Sequence, residues 1–239
     1  MEIIGHRGSA GTAPENTLLG VKLALEAGAP WVEIDVRLAA NELFVIHDED
    51  VARTTNGSGS IYSMTRDEIA QLDAGAGQTV PTLAKVIDAI DADASLNIEL
   101  KDTACLQPTL YLVNKFLEEN PAWHKRIMLS SFEQSIHQSM ARDLPRGCLL
   151  GVLLKKVPAD AIRYANELGA FSLNLSIQQV DAAIVSDAHQ CGLKVFVYTV
   201  NEESDIDACL NFGVDAIYTD FPARAFRLVD TKTRSVSNA

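Results

Sequence analysis

Glu33-Ile34-Asp35 and Glu99-Leu100-Lys101 each set two ionisable side chains at positions i and i+2, and a strand turns such a pair toward one face. His6-Arg7-Gly8 ends the first strand-like run, and Val45-Ile46-His47-Asp48 ends another. Carboxylates, histidines and cations at strand ends are the parts of a metal-assisted phosphate-chemistry site. Glu33, Asp35 and Glu99 offer hard oxygen ligands for one divalent cation, Mg²⁺ or Ca²⁺. Without a cation between them, inward carboxylates repel one another. His6 and His47 titrate near neutrality and suit an acid–base pair. Arg7 brings a planar fork and Lys101 a point charge for phosphate oxygens, or for pairing with the neighbouring carboxylates.

Other residues stand close by in the sequence. Pro14-Glu15-Asn16-Thr17 reads as a helix entrance with Asn16 as a capping candidate. Its place just after His6-Arg7-Gly8 brings Glu15 and Asn16 beside the site. Asn201 and Asp220 fall at the ends of later strand-like runs. His124, His137 and His189 lie in helical or loop sequence and are given no chemistry.

The elements that must position these residues alternate along the chain. Strand-like runs occur at 2–7, 31–37, 95–101, 126–132, 148–154, 171–176, 194–200 and 215–220. Helical patterns follow at 16–27, 82–91, 108–119, 133–143, 158–168, 178–191, 202–212 and 222–230. Gly28, Gly169, Gly192 and Gly213 act as stops, and Pro108 and Pro158 mark helix starts. Repeated β-α units with right-handed crossovers make a parallel sheet, and eight in this length predict an α/β protein with a closed (β/α)₈ TIM barrel. An open doubly wound sheet is disfavoured, because the first turn lacks the G-x-G-x-x-G spacing. Residues 43–47 follow the second strand too closely for a helix, so 33–47 reads as a hairpin that returns His47 to the barrel rim. The irregular stretch 48–80, with a capping box at Thr65 and Glu68, reads as a short insertion that lines or covers the site. No linker divides the chain, so 1–239 is expected to be one domain, with a polar tail that frays after Val229.

Composition narrows the partners. The net charge of −12 and the lack of a basic run argue against extended nucleic acid, while a small anion remains compatible with a local cation. No apolar stretch reaches the roughly 18 residues of a membrane span, so no stable membrane insertion is expected. Strand-like sequence begins at Glu2 with no signal-peptide pattern before it. Cys105, Cys148, Cys191 and Cys209 are scattered and read as buried thiols of a reducing, cytoplasmic compartment.

Taken together, His6-Arg7-Gly8, Pro14-Glu15-Asn16-Thr17, Glu33-x-Asp35, His47-Asp48 and Glu99-x-Lys101 resemble the glycerophosphodiester phosphodiesterase family. Val197-Tyr198-Thr199-Val200-Asn201 and Thr219-Asp220 extend the match over nearly the whole chain. The short insertion resembles the compact cytosolic bacterial members. The resemblance implies hydrolysis of small-molecule glycerophosphodiesters to sn-glycerol 3-phosphate and an alcohol. It also implies a divalent metal on Glu33, Asp35 and Glu99, His6 and His47 as acid and base, and Tyr198 as an aromatic wall where relatives often carry Trp. A lysophospholipase D-like activity on the same scaffold and a non-catalytic phosphodiester-binding protein are the alternatives. The first needs an apolar surface that 48–80 lacks. The second should have lost a metal carboxylate or a histidine.

Overall fold

A computed structural model describes residues 1–90 and 93–237. Its strands are β1 (Glu2–Gly5), β2 (Trp31–Ala39), β3 (Glu42–Val45), β4 (Ser95–Leu100), β5 (Ile127–Ser131), β6 (Leu149–Leu154), β7 (Ser172–Ser176), β8 (Lys194–Tyr198) and β9 (Ala216–Thr219). All except β3 are parallel, and β1 pairs with both β9 and β2, so the sheet closes on itself as the expected TIM barrel. The helices are α1 (Leu18–Glu26), α2 (Arg66–Ala70), α3 (Leu83–Ala89), α4 (Leu106–Glu119), α5 (Gln134–Asp143), α6 (Ala161–Glu167), α7 (Ala182–Gln190), α8 (Glu203–Phe212) and α9 (Pro222–Ser237).

The two-residue period of β2 divides its labour. Val32, Ile34 and Val36 are fully buried in the cluster between sheet and helices, together with Leu96, Ile98 and Leu100 of β4. Each such aliphatic contributes about 1.5–3 kcal/mol on burial. That outer packing fixes the register Asp35↔Glu99 and so holds mutually repelling carboxylates on the inner face. The lower barrel interior is plugged by Ile4, Trp31, Met128, Phe196 and Tyr218, which leaves the upper, C-terminal end for polar groups.

The hairpin follows from an edge left open. β1 pairs with β2 only as far as Gly5↔Val32, then turns away at His6. β3 takes over the same edge antiparallel, from Val36↔Val45 to Ala39↔Glu42. Ala40 and Asn41 make the two-residue turn with φ of +46° and +59°, as a tight hairpin requires. His47 follows directly.

Several local expectations are corrected. Thr17, not Asn16, caps α1, accepting from the Gly20 N–H at 3.1 Å; Asn16 has φ +57° and turns its amide inward. Pro108 is the third residue of α4, because a 3₁₀ turn at Thr103–Cys105 leads into the helix, and Pro158 precedes α6 by three residues. The C-terminal segment does not fray at Val229, since α9 continues to Ser237. Cys105, Cys148 and Cys209 are buried, whereas Cys191 is exposed.

Residues 48–80 form a small layer of their own. Val51, Ile61, Ile69, Leu72 and Val80 pack beneath Phe44 and Ile46, and Thr65 and Glu68 make the expected capping box on α2.

Candidate active site

Glu33, Asp35 and Glu99 meet at the upper end of the barrel, with ligand oxygens within 4.8 Å of one another and all three side chains buried. Their surroundings treat them differently. Asp35 is buried, which favours its neutral form, but Lys101 and Arg7 outweigh burial and hold its carboxyl well below the usual carboxylate range. Burial and then the Asp35 charge push Glu33 up to about 8, and the same two causes raise Glu99. Glu33 Oε2 accepts from the Arg7 N–H at 2.8 Å, while Glu33 Oε1 is buried with no hydrogen-bond partner. An orphaned carboxyl oxygen facing two more carboxyl groups fits a bound cation. The triad can hold one metal ion.

Two cations and an amide brace the triad. Lys101 Nζ donates to Glu99 Oε1 at 2.5 Å and lies 3.2 Å from Asp35 Oδ1. Arg7 Nε stands 3.3 Å from Asp35 Oδ2 without a hydrogen bond, and Arg7 Nη1 donates to Glu15 Oε1 at 2.7 Å. Asn16 Nδ2 donates to Asp35 Oδ2 at 2.8 Å, and Asn16 Oδ1 accepts from the Asp35 N–H at 3.1 Å.

Each histidine is steered by a carboxylate. His6 Nδ1 lies 2.7 Å from Asp220 Oδ1, and Asn201 Nδ2 donates to the other Asp220 oxygen at 2.6 Å. Burial works against a charged His6, yet the Asp220 hydrogen bond and the Glu33 charge prevail, and its pKa is raised. His47 Nδ1 lies 2.5 Å from Asp48 Oδ1. Burial lowers the His47 pKa, and Asp35 and Asp48 restore it only in part. In both rings Nε2 is the nitrogen left free of a carboxylate.

A cavity of about 180 Å³ joins these groups: His6, Arg7, Glu33, His47 and Glu99 face Phe132, Leu153, Tyr198 and Tyr218 across it. Tyr198 donates its hydroxyl to the Leu154 carbonyl at 2.7 Å and packs edge-on against Phe132, with ring centroids 5.3 Å apart. No residue of 48–80 lines this cavity, contrary to the expectation from sequence.

The insertion acts from behind. Arg53 bonds Asp48 through Nε and grips Glu15 with both terminal nitrogens at 2.8 Å. One guanidinium thus ties the carboxylate that steers His47 to the one that steers Arg7. Sequence reasoning missed Arg53, which lies in irregular sequence; the only signal was a cation five residues after His47-Asp48. Arg53→Ala is expected to lower kcat on the order of tenfold, since small misplacements of reacting groups are costly. Arg53→Lys should recover little, because a point charge cannot bridge both carboxylates. Steady-state kinetics with a thermal melt to confirm folding would check this.

Comparison with known proteins agrees with the geometry. The model of the "Glycerophosphoryl diester phosphodiesterase family" matches residues 6–224. A glycerophosphodiester phosphodiesterase of Caldanaerobacter subterraneus is 34% identical over 95% of this chain and 97% of its own length. One of Bacillus altitudinis is 33% identical over 95% and 97%. Among solved structures, an Oleispira antarctica phosphodiesterase in complex with the product sn-glycerol-3-phosphate superposes with a TM-score of 0.87 at 32% identity, covering 96% of this chain and 97% of that one. Closed barrel, carboxylate triad, paired histidines and full-length similarity converge, and the chain belongs to the glycerophosphoryl diester phosphodiesterase family.

Proposed function

We infer that the chain hydrolyses glycerophosphodiesters to sn-glycerol 3-phosphate and an alcohol, with His6 and His47 exchanging protons across a phosphate seated over Glu33, Asp35 and Glu99. The observation that carries this reading is the single cavity onto which both histidines, Arg7, Glu33 and Glu99 open. Mg²⁺ or Ca²⁺ held by the three carboxylates would neutralise the phosphoryl oxygens and polarise the P–O bonds.

The chain's own groups do the rest. Arg7 and Lys101, anchored by Glu15, Asp35 and Glu99, bring positive charge to the oxygens where negative charge builds up. The glycerol moiety fits this cavity, against Leu153, Tyr198 and Tyr218. Among the described residues, no serine, threonine or cysteine hydrogen-bonds either histidine, so no side-chain nucleophile has a base. The substrate's own 2-hydroxyl is then the nearest nucleophile. His6 Nε2 removes its proton as the new P–O bond forms, while Asp220 stabilises the imidazolium. His47 Nε2 protonates the departing alcohol oxygen as the old P–O bond breaks. Water opens the resulting cyclic phosphate with the two histidines in reversed roles.

A 2-deoxy glycerophosphodiester tests this route. It should act as a competitive inhibitor and turn over at least about 10³-fold more slowly, because an intramolecular hydroxyl brings an effective molarity of about 10⁵ M or more. Turnover at the normal rate would instead mean direct attack by water.

A further inference from the structure

A second and larger cavity, about 340 Å³, adjoins the first and shares His47, Glu99 and Phe132 with it. Its other walls are Arg37, Lys101, Glu133 and Lys155, contributed by the C-terminal ends of neighbouring barrel strands. We propose that this groove receives the leaving alcohol and that Lys155 makes it selective for alcohols that carry a carboxylate or a second phosphate. The proposal rests on the phosphodiesterase reading above and adds the class of leaving group.

The two cavities differ in the way a constant and a variable half of a substrate require. The smaller one, about 180 Å³, matches a small invariant glycerol phosphate, and the larger one has room for a bulkier group of varied shape. His47 borders both, so a proton passed from it reaches the oxygen that joins the two halves.

Charge then sets the preference. Arg37 is engaged with Asp102 at 3.7 Å and donates to the His47 carbonyl at 2.9 Å. Lys101 is committed to Glu99 and Asp35. Glu133 caps α5, its carboxylate accepting from the Ser135 N–H at 3.3 Å. Lys155 is exposed just past the end of β6, with its ammonium 5.6 Å from the centroid of the Phe132 ring. Glu133 feels that charge, yet the two form no ion pair. Among the described residues, Lys155 is therefore the cation of the groove that forms no ion pair with a carboxylate. The Phe132 ring beneath it is the wall between the two cavities, so the charge stands above the path of the departing alcohol.

Glycerophosphoserine and glycerophosphoethanolamine differ by one carboxylate on the leaving alcohol and serve as the probe pair. The native enzyme should cleave the serine ester with kcat/KM about fivefold higher, the size of an exposed charge pair. Lys155→Gln should bring the two near parity, and Lys155→Glu should reverse the order, mainly through KM. The native preference should shrink in about 0.5 M salt, where the screening length is only a few ångströms. A native preference for the ethanolamine ester, or a ratio that stays within about twofold in Lys155→Glu, would overturn the proposal. Failure to cleave either ester would refute the phosphodiesterase reading itself, and this inference with it.

Discussion

Stripping divalent metal from the protein is expected to abolish turnover of glycerophosphocholine, and returning Mg²⁺ or Ca²⁺ to restore it. The reason lies in the folded chain before any substrate arrives. Glu33, Asp35 and Glu99 are buried within 4.8 Å of one another, and Lys101 and Arg7 cannot satisfy all of their oxygens. A phosphodiester brings a further negative charge to the same place and would be repelled. Single removals such as Glu33→Gln or Asp35→Asn should each cost at least about 10²-fold in kcat/KM at fixed metal concentration, since even groups that merely orient metal ligands are worth about 10–100-fold. Binding should also be visible without substrate. Metal at about 100 times its Kd adds about 2.7 kcal/mol of stability. For a chain of this size that is a rise in melting temperature of about 5–10 °C. Because burial and the Asp35 charge raise the Glu33 pKa, protons compete with metal for this carboxyl. Affinity should accordingly rise with pH through the neutral range. Full activity in exhaustively chelated protein would refute the metal assignment.

Replacing either histidine with alanine is expected to cost on the order of 10²–10⁴-fold in rate on a natural glycerophosphodiester. The two losses should then be separable by the leaving group. His47 borders both cavities and is assigned to the departing alcohol, whereas His6 lines only the smaller one. A p-nitrophenyl ester of glycerol phosphate has a leaving group that needs no proton. In the release of p-nitrophenol over the first turnover, which precedes the step that needs His47 as a base, His47→Ala should regain most of its rate and His6→Ala should not. The same recovery in both variants would mean that neither acts specifically on the leaving oxygen. His124→Ala should leave kinetics unchanged, whereas His137 is buried between Tyr164 and the Ser131 carbonyl and belongs to the packing of α5.

Much of this was legible in the sequence for a local reason. In a strand, i and i+2 share a face, so Glu33 with Asp35 and Glu99 with Lys101 declare their juxtaposition without knowledge of the fold. The β-α rhythm supplied the barrel, and a connection too short for a helix supplied the hairpin that carries His47. What the sequence did not disclose depends on closure or on irregular backbone. Asp220 meets His6 across 214 residues because β9 pairs with β1. Asn16 looked like a cap, but a left-handed backbone turns it onto Asp35 and leaves capping to Thr17. Arg53 sits in a 3₁₀ turn, where no periodicity announces which way a side chain points. The insertion was expected to cover the site because loops at this end of a barrel commonly do; its apolar residues instead pack under the hairpin, and Arg53 is its reach toward the chemistry.

The most direct test of the central claim is which phosphorus bond breaks. Glycerophosphocholine incubated with enzyme and Mg²⁺ and followed by ³¹P NMR should lose its diester resonance and gain that of sn-glycerol 3-phosphate, with choline released. A five-membered cyclic phosphate resonance should appear transiently and accumulate when the second step is slowed. Phosphocholine and free glycerol as products, or a diester resonance unchanged in the presence of metal, would contradict the account.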